Sequence, residues 1–273
     1  MNPILSFIKR YPQGVFWGIA YVTGNIGYIL NRLYPSDLWQ FFVWGVFLGG
    51  IVVTAIVDGR NGLRTYFSRI ARWRVGIKWY AIALFSPFLI NLAAIGLNIV
   101  SGAEMETNIQ LPSAPQVAVF FLMIFFFISL GEEPGFRGFA LPRLLTGHSA
   151  LSASLILGLL HVIWHLPLFI GGDMPVFSTT LIILAGAVLF TWIFNNTNGS
   201  VLIAMLFHTA VDLSVAYFAP VFSGANAVSM SAWLTTTYVA VSIFVLALTG
   251  RELGRKRDVA MDALPAEQPA MTR

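Results

Sequence analysis

Apolar residues fill long stretches of this chain, and short polar stretches separate them. The apolar segments lie at 13–31, 37–57, 79–100, 116–146, 150–170, 178–195, 200–218 and 228–250. Each is close to, or longer than, the about 20 residues that an α-helix needs to cross a bilayer. The pattern predicts an all-α, polytopic membrane bundle of about eight transmembrane helices.

The charged residues between the segments predict how the helices are oriented. The loop after the second segment is rich in basic residues: Arg60, Arg64, Arg69, Arg72, Arg74 and Lys78. The next loop, "SGAEMETNIQLPSAPQ", is acidic and has no Lys or Arg, and the tail "RELGRKR" is basic again. Because basic loops stay on the cytoplasmic side, we expect the arginine-rich loop and both termini there. That arrangement requires an even number of spans, as eight provides.

Composition agrees with this class of protein and excludes others. The 273 residues are 57% hydrophobic and 10% charged, whereas soluble domains have about 25% charged residues. The net charge of +4 comes from the loops and the tail, so we expect no nucleic-acid partner. The lack of cysteine excludes thiolate zinc sites, disulfides and a cysteine nucleophile. We expect one transmembrane domain over 1–257 and a disordered tail over 258–273.

Three carboxylates and three histidines lie inside the apolar segments instead of between them. They are Glu132, Glu133, Asp212, His161, His165 and His208. An ionisable group at bilayer depth costs at least about 2.5 kcal/mol on insertion scales, and such groups mark functional sites. One of them could be a structural group, but six on three long segments predict a polar site inside the membrane.

The spacing of these residues predicts which of them share a helix face. Three pairs are four residues apart: His161 with His165, His208 with Asp212, and Glu133 with Arg137. Residues at this spacing lie on one face of an α-helix. Glu133 and Arg137 can therefore form an ion pair within one helix. We expect Pro134 and Gly135 to loosen the backbone beside this pair.

Helix lengths predict the depth of the site. From Glu132 to the turn near Gly147 is roughly 22 Å of helix, and from that turn to His165 is roughly 24 Å. An antiparallel hairpin would therefore bring Glu132 and His165 to nearly the same level.

Three short motifs in this region resemble those of the CPBP intramembrane proteases, the group that contains the type II CAAX-prenyl endopeptidases and the Abi-like bacterial proteins. "EEPGFR" is similar to the EExxxR motif of that family. "HVIWHLPLF" is similar to the FxxxH motif, and "HTAVD" to the HxxxN or HxxxD motif. The motifs occur in the order of the family, within about residues 115–215. The resemblance implies a membrane endopeptidase whose catalytic core covers that range.

The resemblance also implies roles for the residues of the first motif. Glu132 matches the carboxylate that activates water, Glu133 is its neighbour, and Arg137 matches the arginine of the motif. Peptide hydrolysis needs a nucleophilic water, a base and a group that stabilises the oxyanion. We expect Glu132 to be the base, and Arg137 to hold Glu133 in its charged form.

The second and third motifs imply roles for the other residues. We expect His165 to share the water or to pass a proton to the leaving amine. We expect His208, oriented by Asp212, to donate to the oxyanion. His161 departs from the pattern because it occupies the position of the family's phenylalanine, and we expect it to have an accessory, mainly structural role.

The need for a metal stays open at this point. Members of the family are often described as metal-dependent, and zinc is a candidate because Glu, His and Asp are among its ligands. The residues that would hold it are Glu132, His165, His208 and Asp212. However, the sequence contains no HExxH, and a water activated by glutamate without a metal fits the same residues. The sequence therefore makes no cofactor certain and leaves zinc as a candidate.

Two other functions fit part of the pattern. A proton-coupled transporter also places Glu, His and Asp in the membrane, but it predicts ionisable residues spread along a pathway. A catalytically inactive scaffold or immunity protein of the same family would be expected to lose Glu132 or a histidine. We therefore predict an endopeptidase that acts on a membrane protein or peptide, with or without a lipid modification. The WHLP form of the second motif indicates a bacterial chain, so we expect the inner (plasma) membrane.

Overall fold

The computed structural model describes residues 2–36 and 41–255, and all regular elements in these ranges are helical. The tail predicted to be disordered, 258–273, lies outside the described residues. The helices in chain order are α1 Pro3–Arg10, α2 Pro12–Leu33, α3 Trp44–Val57, α4 Gly59–Ile70, α5 Ile77–Val100, α6 Ala114–Met123, α7 Leu130–Glu133, α8 Leu141–Gly147, α9 Ala150–Trp164, α10 Leu166–Ile170, α11 Val176–Asn196, α12 Val201–Phe218 and α13 Gly224–Thr249. A short 3₁₀ helix, Ala219–Val221, follows α12.

The apolar segments predicted from the sequence correspond to these helices. Those long and apolar enough to cross a membrane, within the described ranges, are Ile77–Val100, Ala114–Gly147, Val176–Asn196, Val201–Val221 and Gly224–Thr249. Phe41–Val57 and Ala150–Trp164 are shorter apolar helices, and α2 accounts for the remaining predicted segment. The all-α membrane bundle is confirmed. The number of spans and their orientation stay predictions.

The fourth predicted segment is one long composite helix in which α-helix alternates with π-helix. The first π segment is Ile124–Ser129 and the second is Pro134–Ala140, and α7 lies between them. Pro134 has no N–H to donate to the carbonyl four residues earlier, so the regular α-helical pattern cannot continue through it. The residue after each π segment donates its backbone N–H to the carbonyl five residues earlier, as Leu141 does to the carbonyl of Phe136. The two adjacent glutamates therefore end a single α-helical turn between two widened turns.

The second π segment is packed tightly against α3 and α4. A Cβ on Gly135 would lie 2.5 Å from the backbone oxygen of Val46, so only glycine permits this approach. The buried ring of Tyr66 lies beside Gly138, and Arg69 Nη1 donates to the Gly138 carbonyl at 3.1 Å. Burial, followed by the charge of neighbouring arginines, lowers the pKa of Arg69 to about 10, so it stays charged at neutral pH. These contacts hold the backbone of the π segment from two sides.

Buried side chains form two clusters in the bundle. The first includes Phe16, Trp17 and Phe136, and joins α2, α3, α4 and α9 to the second π segment. The second includes Phe207 and Tyr238, and joins α5, α11, α12 and α13. The composite helix and α12 thus connect two parts of one bundle.

The close approach at Gly135 predicts a large effect of a small change. We expect Gly135→Ala to lower the midpoint of thermal unfolding in detergent, because overpacking costs about 1–3 kcal/mol. The cost of overpacking exceeds the stabilisation of about 0.5–1 kcal/mol that alanine gives a helix relative to glycine. Gly18→Ala is the matched control, because a Cβ there meets no heavy atom within 4 Å. Equal midpoints for the two variants would contradict the packing described.

Candidate active site

A cavity of about 470 Å³ lies inside the bundle, between the composite helix and α9, α11, α12 and α13. Its lining includes all the residues that the sequence predicted for the site: Glu132, Glu133, Arg137, His161, His165, His208 and Asp212. The structure therefore brings the three motifs together in one place. The rest of the lining is mostly apolar, and it includes Trp164, Ile182 and Phe190.

Glu133 connects the first motif to the third. It has no exposed surface, and its Oε1 accepts hydrogen bonds from Arg137 Nη1 at 2.9 Å and from His208 Nδ1 at 2.7 Å. The predicted pairing of Glu133 with Arg137 is present, and the bond to His208 adds a link to α12. Because a carboxylate can only accept, Nδ1 of His208 carries a hydrogen. Oε1 of Glu133 is thereby fixed by two donors, whereas Oε2 has no hydrogen-bond partner among the described residues.

Arg137 is buried with a charged partner and an aromatic one. Its guanidinium carbon lies 4.0 Å from the centre of the Phe190 ring and 5.9 Å from that of Phe136. A planar, weakly hydrated guanidinium tolerates such a position, where aromatic faces replace part of its hydration. Nε of Arg137 makes no hydrogen bond to any residue of the described ranges. The arginine thus anchors Glu133 and keeps one donor unpaired.

Glu132 points to a different part of the cavity. Its nearest ionisable neighbour is His161, whose Nε2 lies 3.6 Å from Oε2, too far for a direct hydrogen bond. Nε2 of His161 has no other hydrogen-bond partner in the described ranges. Glu132 is buried but, unlike Glu133, it is not held by an arginine. This is the geometry expected of a carboxylate that can handle a proton.

His165 is oriented by the backbone. Its Nδ1 lies 3.0 Å from the carbonyl oxygen of His161. Since a carbonyl can only accept, Nδ1 carries a hydrogen and Nε2 keeps its lone pair. His165 follows the last residue of α9, and Pro167 begins the next turn, so the helix does not continue through the motif. The two histidine rings are 4.7 Å apart, and the ring of His161 is the one that faces Glu132.

His208 is held at both nitrogens. Besides the bond from Nδ1 to Glu133, its Nε2 lies 3.4 Å from Asp212 Oδ2 one turn further along α12. The predicted shared face of His208 and Asp212 is present. A hydrogen bond of 2.9 Å between Ser129 and Thr209 fixes α12 against the first π segment. His208 therefore has a defined orientation toward the cavity.

The candidate zinc ligands do not form a ligand shell. In the parts of the chain that the structure describes, no group of three or more His, Cys, Asp or Glu side chains is arranged to hold a metal ion. Nδ1 of His208 is occupied by its hydrogen bond to Glu133, so Nε2, which lies 3.4 Å from Asp212 Oδ2, is the nitrogen that could bind a metal. The residues are suited to zinc by type but not by their arrangement.

Two polar residues of the cavity were missed in the sequence, Thr179 of α11 and Tyr238 of α13. Tyr238 of α13 lines the cavity, but it lies in an apolar segment without any motif. A tyrosine there looks like an ordinary core residue, and nothing in its spacing distinguishes it.

Comparison with known proteins agrees with the class of protein that the sequence predicts. Residues 114–214 match the family described as Type II CAAX prenyl endopeptidase Rce1-like, and this span contains every predicted site residue. The matches support a membrane protease of the CAAX type, and the predicted resemblance to the type II CAAX prenyl endopeptidases is confirmed. The chain is also 26% identical over 232 residues to CAAX prenyl protease 2 of Methanococcus maripaludis, which covers 78% of this chain and 83% of that protein.

The shared carboxylate predicts a specific loss of stability. We expect Glu133→Gln to lower the midpoint of thermal unfolding strongly, because removing one partner of a buried ion pair costs about 3–5 kcal/mol. Glu252→Gln is the control, since Glu252 faces Arg251 at 3.7 Å in an exposed pair and such pairs add little stability. Unfolding of the purified variants in detergent measures both. A wild-type midpoint for Glu133→Gln would show that the network does not stabilise the fold.

Proposed function

We propose that this protein is an intramembrane endopeptidase that hydrolyses a peptide bond of a membrane-associated protein or peptide with a water activated by Glu132. The observation that carries the proposal is the convergence of Glu132, His165 and His208, from three separate parts of the chain, on one cavity. The match to a CAAX-type protease family supports the same reaction class.

The geometry suggests which residue carries out each step of the hydrolysis. Glu132 takes a proton from water, and the hydroxide that results attacks the peptide carbonyl, forming a C–O bond. The C–N bond then breaks, and the leaving nitrogen receives the proton directly from Glu132 or through Nε2 of His165. In its doubly protonated form, His208 donates Nδ1–H to Glu133 and directs Nε2–H toward Asp212 and an oxyanion beside it.

The arrangement favours a protease over a transporter. A proton pathway needs ionisable groups that continue from one side of the membrane to the other, whereas the predicted residues lie around a single cavity. The complete set of carboxylates and histidines also favours an active enzyme over a scaffold.

The assignment of the base predicts that Glu132→Gln abolishes cleavage. We expect a loss of about 10²-fold or more, with membrane insertion and the thermal midpoint unchanged. The reason is that the nearest ionisable partner of Glu132 is 3.6 Å away, so no strong pair is broken. The assay uses purified protein and a farnesylated peptide ending in a CAAX-type sequence, since the relative in Methanococcus maripaludis is named a CAAX prenyl protease. The same peptide without the prenyl group is run in parallel, and products are identified by mass spectrometry.

Two results of this assay would contradict the proposal. Wild-type turnover by Glu132→Gln would remove Glu132 from the chemistry. Loss of wild-type cleavage in a chelator, restored by zinc, would replace a metal-free mechanism with a metal-dependent one. We expect cleavage to persist in the chelator, because the candidate ligands do not form a shell.

The two neighbouring histidines can be separated by substitution. We expect His165→Ala to lose about 10²-fold or more of the activity, as an acid–base group should. We expect His161→Phe to lose less, because its ring packs on Phe136 with centres 4.5 Å apart and phenylalanine can keep that contact. Steady-state cleavage of the farnesylated peptide measures both. An essential His161 beside a dispensable His165 would assign the proton transfer to the histidine that faces Glu132.

A further inference from the structure

Tyr238 is a buried polar residue of the cavity that lies outside the matched segment. It belongs to α13, whereas the family match covers residues 114–214. Its ring is 1% exposed and packs in the second cluster of buried residues. Its hydroxyl makes no hydrogen bond to any residue that the structure describes, yet the residue lines the catalytic cavity.

Packing alone does not explain this hydroxyl. A buried polar group without a partner destabilises the fold, and phenylalanine would fill the same space without that cost. Two other tyrosines show the usual solution: Tyr66 donates to the Phe47 carbonyl at 3.2 Å, and Tyr21 donates to the Leu160 carbonyl at 3.0 Å. Because Tyr238 lines the cavity, a molecule that enters the cavity can supply the partner that this hydroxyl lacks.

The surroundings of Tyr238 indicate what that partner is. A peptide that enters the cavity displaces most of the water there, so its backbone N–H and C=O groups need partners from the protein. The lining also offers a carboxylate at Asp212, which can accept a hydrogen bond but cannot donate one to a peptide carbonyl. The Tyr238 hydroxyl can donate to a carbonyl oxygen, and it adds a donor on α13 to those that Arg137 Nε and the Thr179 hydroxyl place elsewhere in the lining.

We propose that the Tyr238 hydroxyl donates a hydrogen bond to a backbone carbonyl of the peptide bound in the cavity, which makes it a substrate-contacting residue. This inference rests on the proposed endopeptidase function. It extends the site to α13, a helix that carries none of the three motifs.

The test is Tyr238→Phe, which removes one oxygen and keeps the ring. We expect kcat/KM for the farnesylated CAAX-type peptide to fall about 10-fold or more, while the midpoint of thermal unfolding stays the same or rises. The matched control is Tyr66→Phe, which removes a hydroxyl of similar burial that does have a partner. It should lower the midpoint and leave kcat/KM of the folded protein unchanged.

Each other outcome overturns the inference. Wild-type kcat/KM in Tyr238→Phe would show that the hydroxyl does not contact the peptide. A lower midpoint would show that it has a partner inside the protein. A displaced pH profile of kcat would show that it acts through Asp212 and not on the peptide. If the wild-type protein neither cleaves nor binds the peptide, the proposed function itself fails and the inference fails with it. That result is seen without any variant.

Discussion

The shared carboxylate of Glu133 is the contact on which the rest of the site depends. In the interior of a membrane bundle an isolated charge is far more costly than a charge with partners. Glu133, Arg137 and His208 can therefore be buried only together. Since Arg137 is on the composite helix and His208 is on α12, this requirement fixes the distance between the two helices and the position of the cavity between them.

The two adjacent glutamates divide their roles because of helix geometry. Neighbouring residues on a helix point about 100° apart, so Glu132 and Glu133 face different partners. Glu133 is directed to α12, and Glu132 is directed to His161 on α9. The wide turns that follow Pro134, held in place at Gly135 and Gly138, keep this single α-turn in position. One carboxylate is structural, which leaves the other available for chemistry.

Features that depend on local sequence patterns were predicted correctly, whereas features that depend on the packing of distant helices were not. The apolar segments and the pairs four residues apart depend only on hydropathy and helical periodicity, and both are present. The contact between His161 and Glu132 was not predicted, because the depth estimate assumed that both helices were regular α-helices along their whole length. The second π segment interrupts the first of them, and α9 ends at Trp164. The position of Tyr238 depends on how α13 packs against α5 and α11, and no local pattern contains that information.

The volume of the cavity has a consequence for the supply of water. The hydrocarbon core of a bilayer provides almost none, but a cavity of about 470 Å³ has room for on the order of ten water molecules. Its carboxylates and histidines would retain such a reservoir. A peptide that enters must displace most of it and must leave at least one molecule beside Glu132. A peptide that filled the cavity completely would therefore act as an inhibitor, and turnover would favour chains that fit the cavity loosely.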